Sequence, residues 1–298
     1  MTDKNPHWTD GVLPGCLGML GFSGTLVATR VAVSDFSPLT ITCARIVMAG
    51  ILGLAFLAFS RKLRLPEKRL LPSIVVMGLG LAVGFPFFLA LALEDVPAVH
   101  GAVVTGLSPA ATAIIFVARG GERPPVIFWL ACMIGFAGVF YFAYDAGGGH
   151  LSLADGWLFL ALLCVAIAYV EGGRVSGELG GTTTLSWAMV LLAPAALIAA
   201  AWSVAGMNFE TVAVNSWTAL IYLGVVSMFL ASVFWYRGLA AGGVARIGQI
   251  NLLLPLVALG WSALFLGEEI TPTAIVCTLI VFSAMIVCLK SRTSRRPA

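Results

Sequence analysis

The sequence predicts an all-α polytopic membrane protein of ten transmembrane helices in two inverted halves of five. Three observations carry this. Of 298 residues, 60% are hydrophobic and 10% charged, against about 25% charged in an ordinary soluble domain, so too little charge is present to clothe a soluble surface. The apolar residues come in blocks of about 20 without a mid-block charge, the length a helix needs to cross the hydrocarbon layer. The chain also repeats itself. An offset of 146 residues sets Leu107-Ser108-Pro109 on Leu253-Leu254-Pro255 and Gly121-Glu122 on Gly267-Glu268, and one of 144 sets Arg30-Val31 on Arg174-Val175 and Thr25 on Tyr169. The halves are read as residues 1–148 and 149–298; an odd number of spans in each turns them opposite ways.

The blocks fall at 11–30, 38–59, 70–93, 97–118, 125–144, 153–172, 184–204, 214–236, 243–266 and 272–290. The first holds GCLGMLGFSGT, with Gly15, Gly18, Gly21 and Gly24, each costing about 1 kcal/mol of helix propensity relative to alanine. At about 100° per residue these glycines, with Gly11 near their start, wind a bare groove halfway round the helix. No hydrophobic force joins helices in lipid, so such small residues let backbones approach. The groove reads either as static packing or as a surface along which helices rock. The second span starts at Ser37-Pro38 and carries Arg45, read as capping carbonyls or bracing a loop, with substrate binding as the alternative. In the third, Gly78, Gly80 and Gly84 precede Phe85-Pro86-Phe87-Phe88. Pro86 frees a carbonyl and kinks the helix, while Phe85 and Phe88 share a face, as a cavity wall or a lipid-facing stripe.

His100 opens the fourth span and matches Arg246 at the start of the ninth; in opposed halves the two lie toward opposite faces. They are read either as ligands for a carboxylate or as groups snorkelling to the interface. The fifth span repeats the small-residue theme at Gly135 and Gly138. In the sixth, the hydroxyl of Tyr169 needs a partner. Trp157, Trp187, Trp202, Trp217 and Trp235 fall mostly near span ends, as interface belts do. Phe234 in the eighth span aligns with Phe88. Gly238, Gly242, Gly243 and Gly248 lead into the ninth, where Gln249 and Asn251 offer amides to a substrate or between helices. The tenth ends in KSRTSRRP, read as a membrane anchor rather than a nucleic-acid patch.

Basic residues sort by side. Lys4, Arg61, Lys62, Arg64, Lys68, Arg69, Arg119, Arg123, Arg174, Arg237, Arg246, Lys290, Arg292, Arg295 and Arg296 share one side of a ten-span chain; Arg30 stands on the other. Both termini are therefore expected in the cytoplasm. The polar leader lacks the order of a secretory signal and leaves the first span as an anchor. The six cysteines lie in apolar blocks without metal spacing and read as free, buried thiols. All fourteen acidic residues fall in loops or at span ends, which leaves no buried acid as a proton relay and points to facilitated or exchange transport.

Ser37-Pro38-Leu39, Arg45-Ile46-Val47-Met48-Ala49, Ser108-Pro109 and the Gly-Glu span ends at Glu122 and Glu268, in that order, resemble the EamA-type branch of the drug/metabolite transporter superfamily. Nearly the whole chain takes part, and the pattern is most similar to bacterial amino acid exporters of the inner (plasma) membrane. The resemblance implies a central cavity with alternating access, lined by the first, third, fourth, sixth, eighth and ninth spans. It also makes Arg45 part of a structural motif and turns Tyr169 to the cavity. The family often has tryptophan eight residues before the arginine closing the first span of each half; here Phe22 and Ala166 stand there. The site residues expected from both lines are Phe22, Phe85, Phe88, His100, Tyr169, Phe234, Arg246 and Gln249. No HExxH, no intramembrane acid pair and no GK[ST] loop is present, which argues against an enzyme, a metal and ATP, and no cofactor is expected. One deep arginine is too few for a polyanion carrier. The expected partners are a small neutral metabolite, such as an amino acid, and the bilayer, with no nucleic acid and the protein as a monomer; export of drugs or other metabolites is the alternative.

Overall fold

A computed structural model describes residues 9–119, 125–242 and 247–292. These residues are mostly helical, and among them ten apolar helices form: α1 (Asp10–Ala32), α2 (Pro38–Phe59), α3 (Leu71–Asp95), α4 (Ala98–Ala118), α5 (Val126–Ala146), α6 (Leu153–Leu179), α7 (Gly181–Ser203), α8 (Val214–Gly242), α9 (Ile250–Leu266) and α10 (Pro272–Arg292). The first eight are long and apolar enough to cross a membrane; α9 is a shorter apolar helix, and α10 is apolar over Pro272–Val287. Arg246, Glu122, Gly121, Gly243, Lys4, Arg123, Arg295 and Arg296 lie outside the described residues, as do the side chains of Gln249, Cys288, Lys290 and Arg292.

Local chemistry starts the helices where the sequence places them. Ser37 accepts the Thr40 amide at 3.2 Å with Pro38 in the first turn of α2, the preferred arrangement at a helix start. Ser152 and Asp155 close a reciprocal capping box on α6.

Packing follows the repeat. Helices α2 and α7 pair with one another, as do α5 and α10, each being the other's counterpart; α1 lies on α8, and the related pair α6 and α3 lies the same way. The glycine groove is filled by backbone. A methyl group on Gly18 would sit 2.7 Å from the amide nitrogen of Trp235, and one on Gly238 would sit 2.7 Å from that of Gly15. Gly21 faces Ala231, and Gly24 faces the ring of Tyr222. The related seam uses Gly80 and Gly84, whose added methyls would meet the Cys164 carbonyl at 2.5 Å and its Sγ at 2.6 Å. The propensity cost of these glycines is thus set against direct backbone contact along both seams.

Two expectations change. Trp187 is buried inside the α2–α7 core rather than in an interface belt, whereas Trp202 is 76% exposed. Helix α6 also continues seven residues beyond the predicted 172, because Gly173 and Arg174 end the apolar run without ending the helix. Cys43 and Cys277 are buried free thiols, as predicted; Cys16 and Cys164 are free but half-buried.

Candidate functional site

Four helices lose α-helical regularity at repeat-related depths. In α3 a π-helical stretch, Leu79–Gly84, interrupts the helix, which resumes at Phe85. In α8 a π stretch, Tyr222–Leu230, does the same, and the helix resumes at Ala231, 146 residues after Phe85. Helix α4 breaks after Thr105 and resumes at Ser108; a 3₁₀ segment, Gly248–Leu253, leads into α9, which becomes α-helical at Leu254, again 146 residues on. Pro109 and Pro255 stand at the second position of the resumed helices, where a missing amide costs nothing. A π segment or mid-helix 3₁₀ turn departs from ideal hydrogen bonding and marks functional sites. Such interruptions in corresponding positions of two halves point to a transporter binding site.

Polar bonds collect where α1 joins these segments. At the break near Gly24, the Thr25 hydroxyl meets the Ser227 hydroxyl at 2.7 Å, Tyr222 donates to the Gly21 carbonyl at 2.9 Å, and the Trp261 indole donates to Ser23 Oγ at 2.9 Å. Phe22, half-buried, lies at this junction, and its carbonyl accepts from Thr25 at 2.6 Å. Arg45 stands on α2 between two residues that pack near this junction. Ile41 and Met48, four residues before and three after it, share its helix face; Ile41 packs with Ala28, Ala32 and Leu223, and Met48 lies against Gly224. Arg45 is 3% exposed, and its Nε and Nη1 have no hydrogen-bond partner, so the expected capping of carbonyls is not made by these two atoms.

A cleft of ≈ 800 Å³ opens at one end of the bundle, lined by Arg30, Asp35, Glu94, Asn215, Ser216 and Glu268 among others. Its charged walls hold helix ends. Arg30 donates to the carbonyls of Leu93 and Glu94, Asp35 accepts from Ser216 at 2.6 Å, and both Glu268 oxygens accept the α4 amides of Ala98 and Val99 at 2.8 Å. This explains the Gly-Glu motif. Gly267 turns the chain in a left-handed conformation, φ +66°, and the next residue caps a different helix. At the other end, ion pairs tie the helices together. Arg69 spans Glu67 at 2.7 Å and Glu178 at 2.6 Å, which raises its already high pKa, and Arg119 approaches Glu171 at 2.6 Å. Gly181 is packed against the Tyr236 ring with no room for a side chain.

The expected site residues separate into groups. Tyr169 is 47% exposed, yet it stands about 200° round α6 from Ile167, on whose side the exposed Gly156, Leu160, Leu163 and Arg174 lie. Gly173, also exposed, shares its side of the helix. Phe234 is half-buried. Phe85 and Phe88, both half-buried, pack against the core between α4 and α6, and Phe88 stacks on Trp157 with centroids 5.8 Å apart. His100 lies away from the cleft wall. It is 5% exposed, and Nε2 meets Asp155 Oδ1 at 2.6 Å, so its imidazole is engaged by the protein's own carboxylate rather than held open for a substrate's.

The expectation of no buried acid is overturned by Asp155 and Glu171, 2% and 3% exposed. Asp155 does lie at a span end, but the fold closes over it. Sequence reasoning missed this pair and the irregular segments; the signals available were the capping-box spacing from Ser152 to Asp155 and the repeated prolines.

Comparison with known proteins returns the same repeat. Residues 9–144 and 152–289 each match the model of the EamA-like transporter family. The uncharacterized transporter YdeK of Bacillus subtilis is 39% identical over 262 residues, 88% of this chain and 91% of that protein. The uncharacterized inner membrane transporter YedA of Escherichia coli K12 is 26% identical over 278 residues, 90% of this chain and 87% of that one. A crystal structure covering 95% of this chain and 98% of its own superposes with a TM-score of 0.63 at 18% identity, a likeness of fold.

Proposed function

The chain belongs to the EamA-like transporter family, and from that premise we propose that it exports small neutral metabolites, amino acids foremost, by alternating access across a bacterial inner membrane with both termini cytoplasmic. The observation that carries this reading is the repeat-related interruption of α3, α4, α8 and α9 beneath a cleft at one end of the bundle. Interrupted helices at midspan supply backbone polar groups to a solute. Halves of opposite orientation allow the same site to face either side in turn.

Amino acids fit the side chains around that depth. A zwitterion presents a carboxylate, and Arg45 has unpaired buried N–H groups near the α1–α8 junction, where a charge-assisted bond is strong. Phe22, Tyr169 and Phe234 supply aromatic surface for the rest of the molecule. Facilitated or exchange transport was expected from the want of a buried acid; Asp155 and Glu171 remove that premise.

Counterflow in proteoliposomes tests the function. Vesicles are loaded with unlabelled alanine, phenylalanine, glutamate or lysine and offered the labelled form. Labelled alanine or phenylalanine should accumulate above protein-free vesicles, and the signal should fall in Arg45→Gln. Folded protein that gives counterflow with none of the four would end the amino-acid reading and turn the search to drugs and other metabolites.

A further inference from the structure

The His100–Asp155 pair joins two helices of the transport core and is given no part in the reading above. His100 rides on Ala98–Thr105, the part of α4 cut off from Ser108–Ala118 by the midspan break. Asp155 stands in the first turn of α6, an uninterrupted helix of 27 residues. Its Oδ2 accepts from the Ser152 amide at 2.7 Å and the Ser152 hydroxyl at 2.8 Å, and its Oδ1 meets His100 Nε2 at 2.6 Å. The Asp155 carboxyl is thus held on both oxygens, by Ser152 at the start of α6 and by His100 across the seam.

The other titratable groups around this segment are Glu94 and Asp95 from α3, Arg30 from α1, Asp145 from α5, Cys277 from α10, and Glu268 and Glu269 from the α9–α10 turn. Arg30 and Glu268 are committed to backbone groups. Asp155 is the one in contact with the imidazole, and the Phe142 ring, centroid 5.0 Å away, covers it.

We propose that His100 and Asp155 form a proton-binding site through which this carrier exchanges one proton for one solute. It rests on the transporter reading. With the proton on, imidazolium and carboxylate form a net-neutral pair and hold the outer segment of α4 against α6. When the pair gives up that proton, the contact no longer joins opposite charges and is weaker, so the segment is freer to move at the break. Proton occupancy thus biases the position of an interrupted helix in the transport core.

The test compares two quantities on the same vesicles, counterflow of labelled alanine or phenylalanine and its accumulation driven by a pH difference of about one unit, acid inside. With the membrane potential clamped at zero by potassium and valinomycin, one proton exchanged per solute gives about tenfold accumulation at that difference. In His100→Gln the ratio of driven accumulation to counterflow should fall about tenfold. Counterflow without driven accumulation in the unaltered protein, or an undiminished ratio in His100→Gln, overturns the proposal. If no amino acid gives counterflow, ¹⁵N-histidine NMR in nanodiscs decides the proton site without a solute. His7→Gln and His150→Gln together leave His100 as the remaining histidine of three. A resonance that titrates between about pH 5 and 9 and moves in Asp155→Asn upholds the site while the amino-acid reading falls. A fixed protonation state over that range overturns it.

Discussion

The α1–α8 seam and the α4–α6 seam both join helices of the transport core, and they are held by different chemistry. Along α1–α8, glycine meets backbone at Gly18 and Gly238. Along α4–α6, a buried histidine–carboxylate pair stands near one end and the Arg119–Glu171 approach near the other. The first is steric. It does not respond to pH, and it is spoiled by one methyl group. The second is electrostatic, and its strength depends on protonation. An internally repeated fold can thus set a shape-defined contact in one place and a titratable one in another.

Asp155→Ala should test the electrostatic seam most severely, since it strands a buried imidazole and removes the α6 cap. A loss of about 3–5 kcal/mol is expected for a broken buried pair, read as thermal unfolding in detergent. An unchanged midpoint would show that the pair holds nothing. Gly18→Val probes the steric seam; overpacking against backbone that cannot yield costs about 1–3 kcal/mol, read the same way. Tolerance of valine would mean that α1 and α8 can part, which would favour the rocking reading of the groove. Glu171→Gln should cost about 1 kcal/mol, because Arg119 is 52% exposed and its charge is screened. A larger loss would make the second ion pair the equal of the first. Arg69→Ala should leave the unfolding midpoint unchanged, since its pairs with Glu67 and Glu178 are exposed.

The ten spans were legible because hydropathy blocks and the crossing length of lipid constrain one another. So was the glycine contact, because residues three apart on one helix have a single geometric use in lipid. The His100–Asp155 contact joins residues 55 apart on separate helices, and a lone sequence holds no sign of that approach. Asp155 reads as a span-end acid because its cap with Ser152 is local and its contact with His100 is not. The π segments were hidden for another reason. Gly80 and Gly84 weaken the helix at Leu79–Gly84, but composition does not say that the chain answers with a wider turn. Arg45 was seen, but its orphaned N–H groups could not be, since a sequence does not say which carbonyls fail to arrive.

The cap that Glu268 places on α4 sets an order of events during synthesis. The amides of Ala98 and Val99 are presented early, yet the oxygens that receive them are supplied 170 and 169 residues later. Until the α9–α10 turn emerges, the start of α4 lacks this partner. A nascent first half therefore carries an unfinished helix end, and the last stage of assembly completes it. Chains truncated before Gly267 should be recognised by membrane quality control as incomplete even where every earlier span has been made.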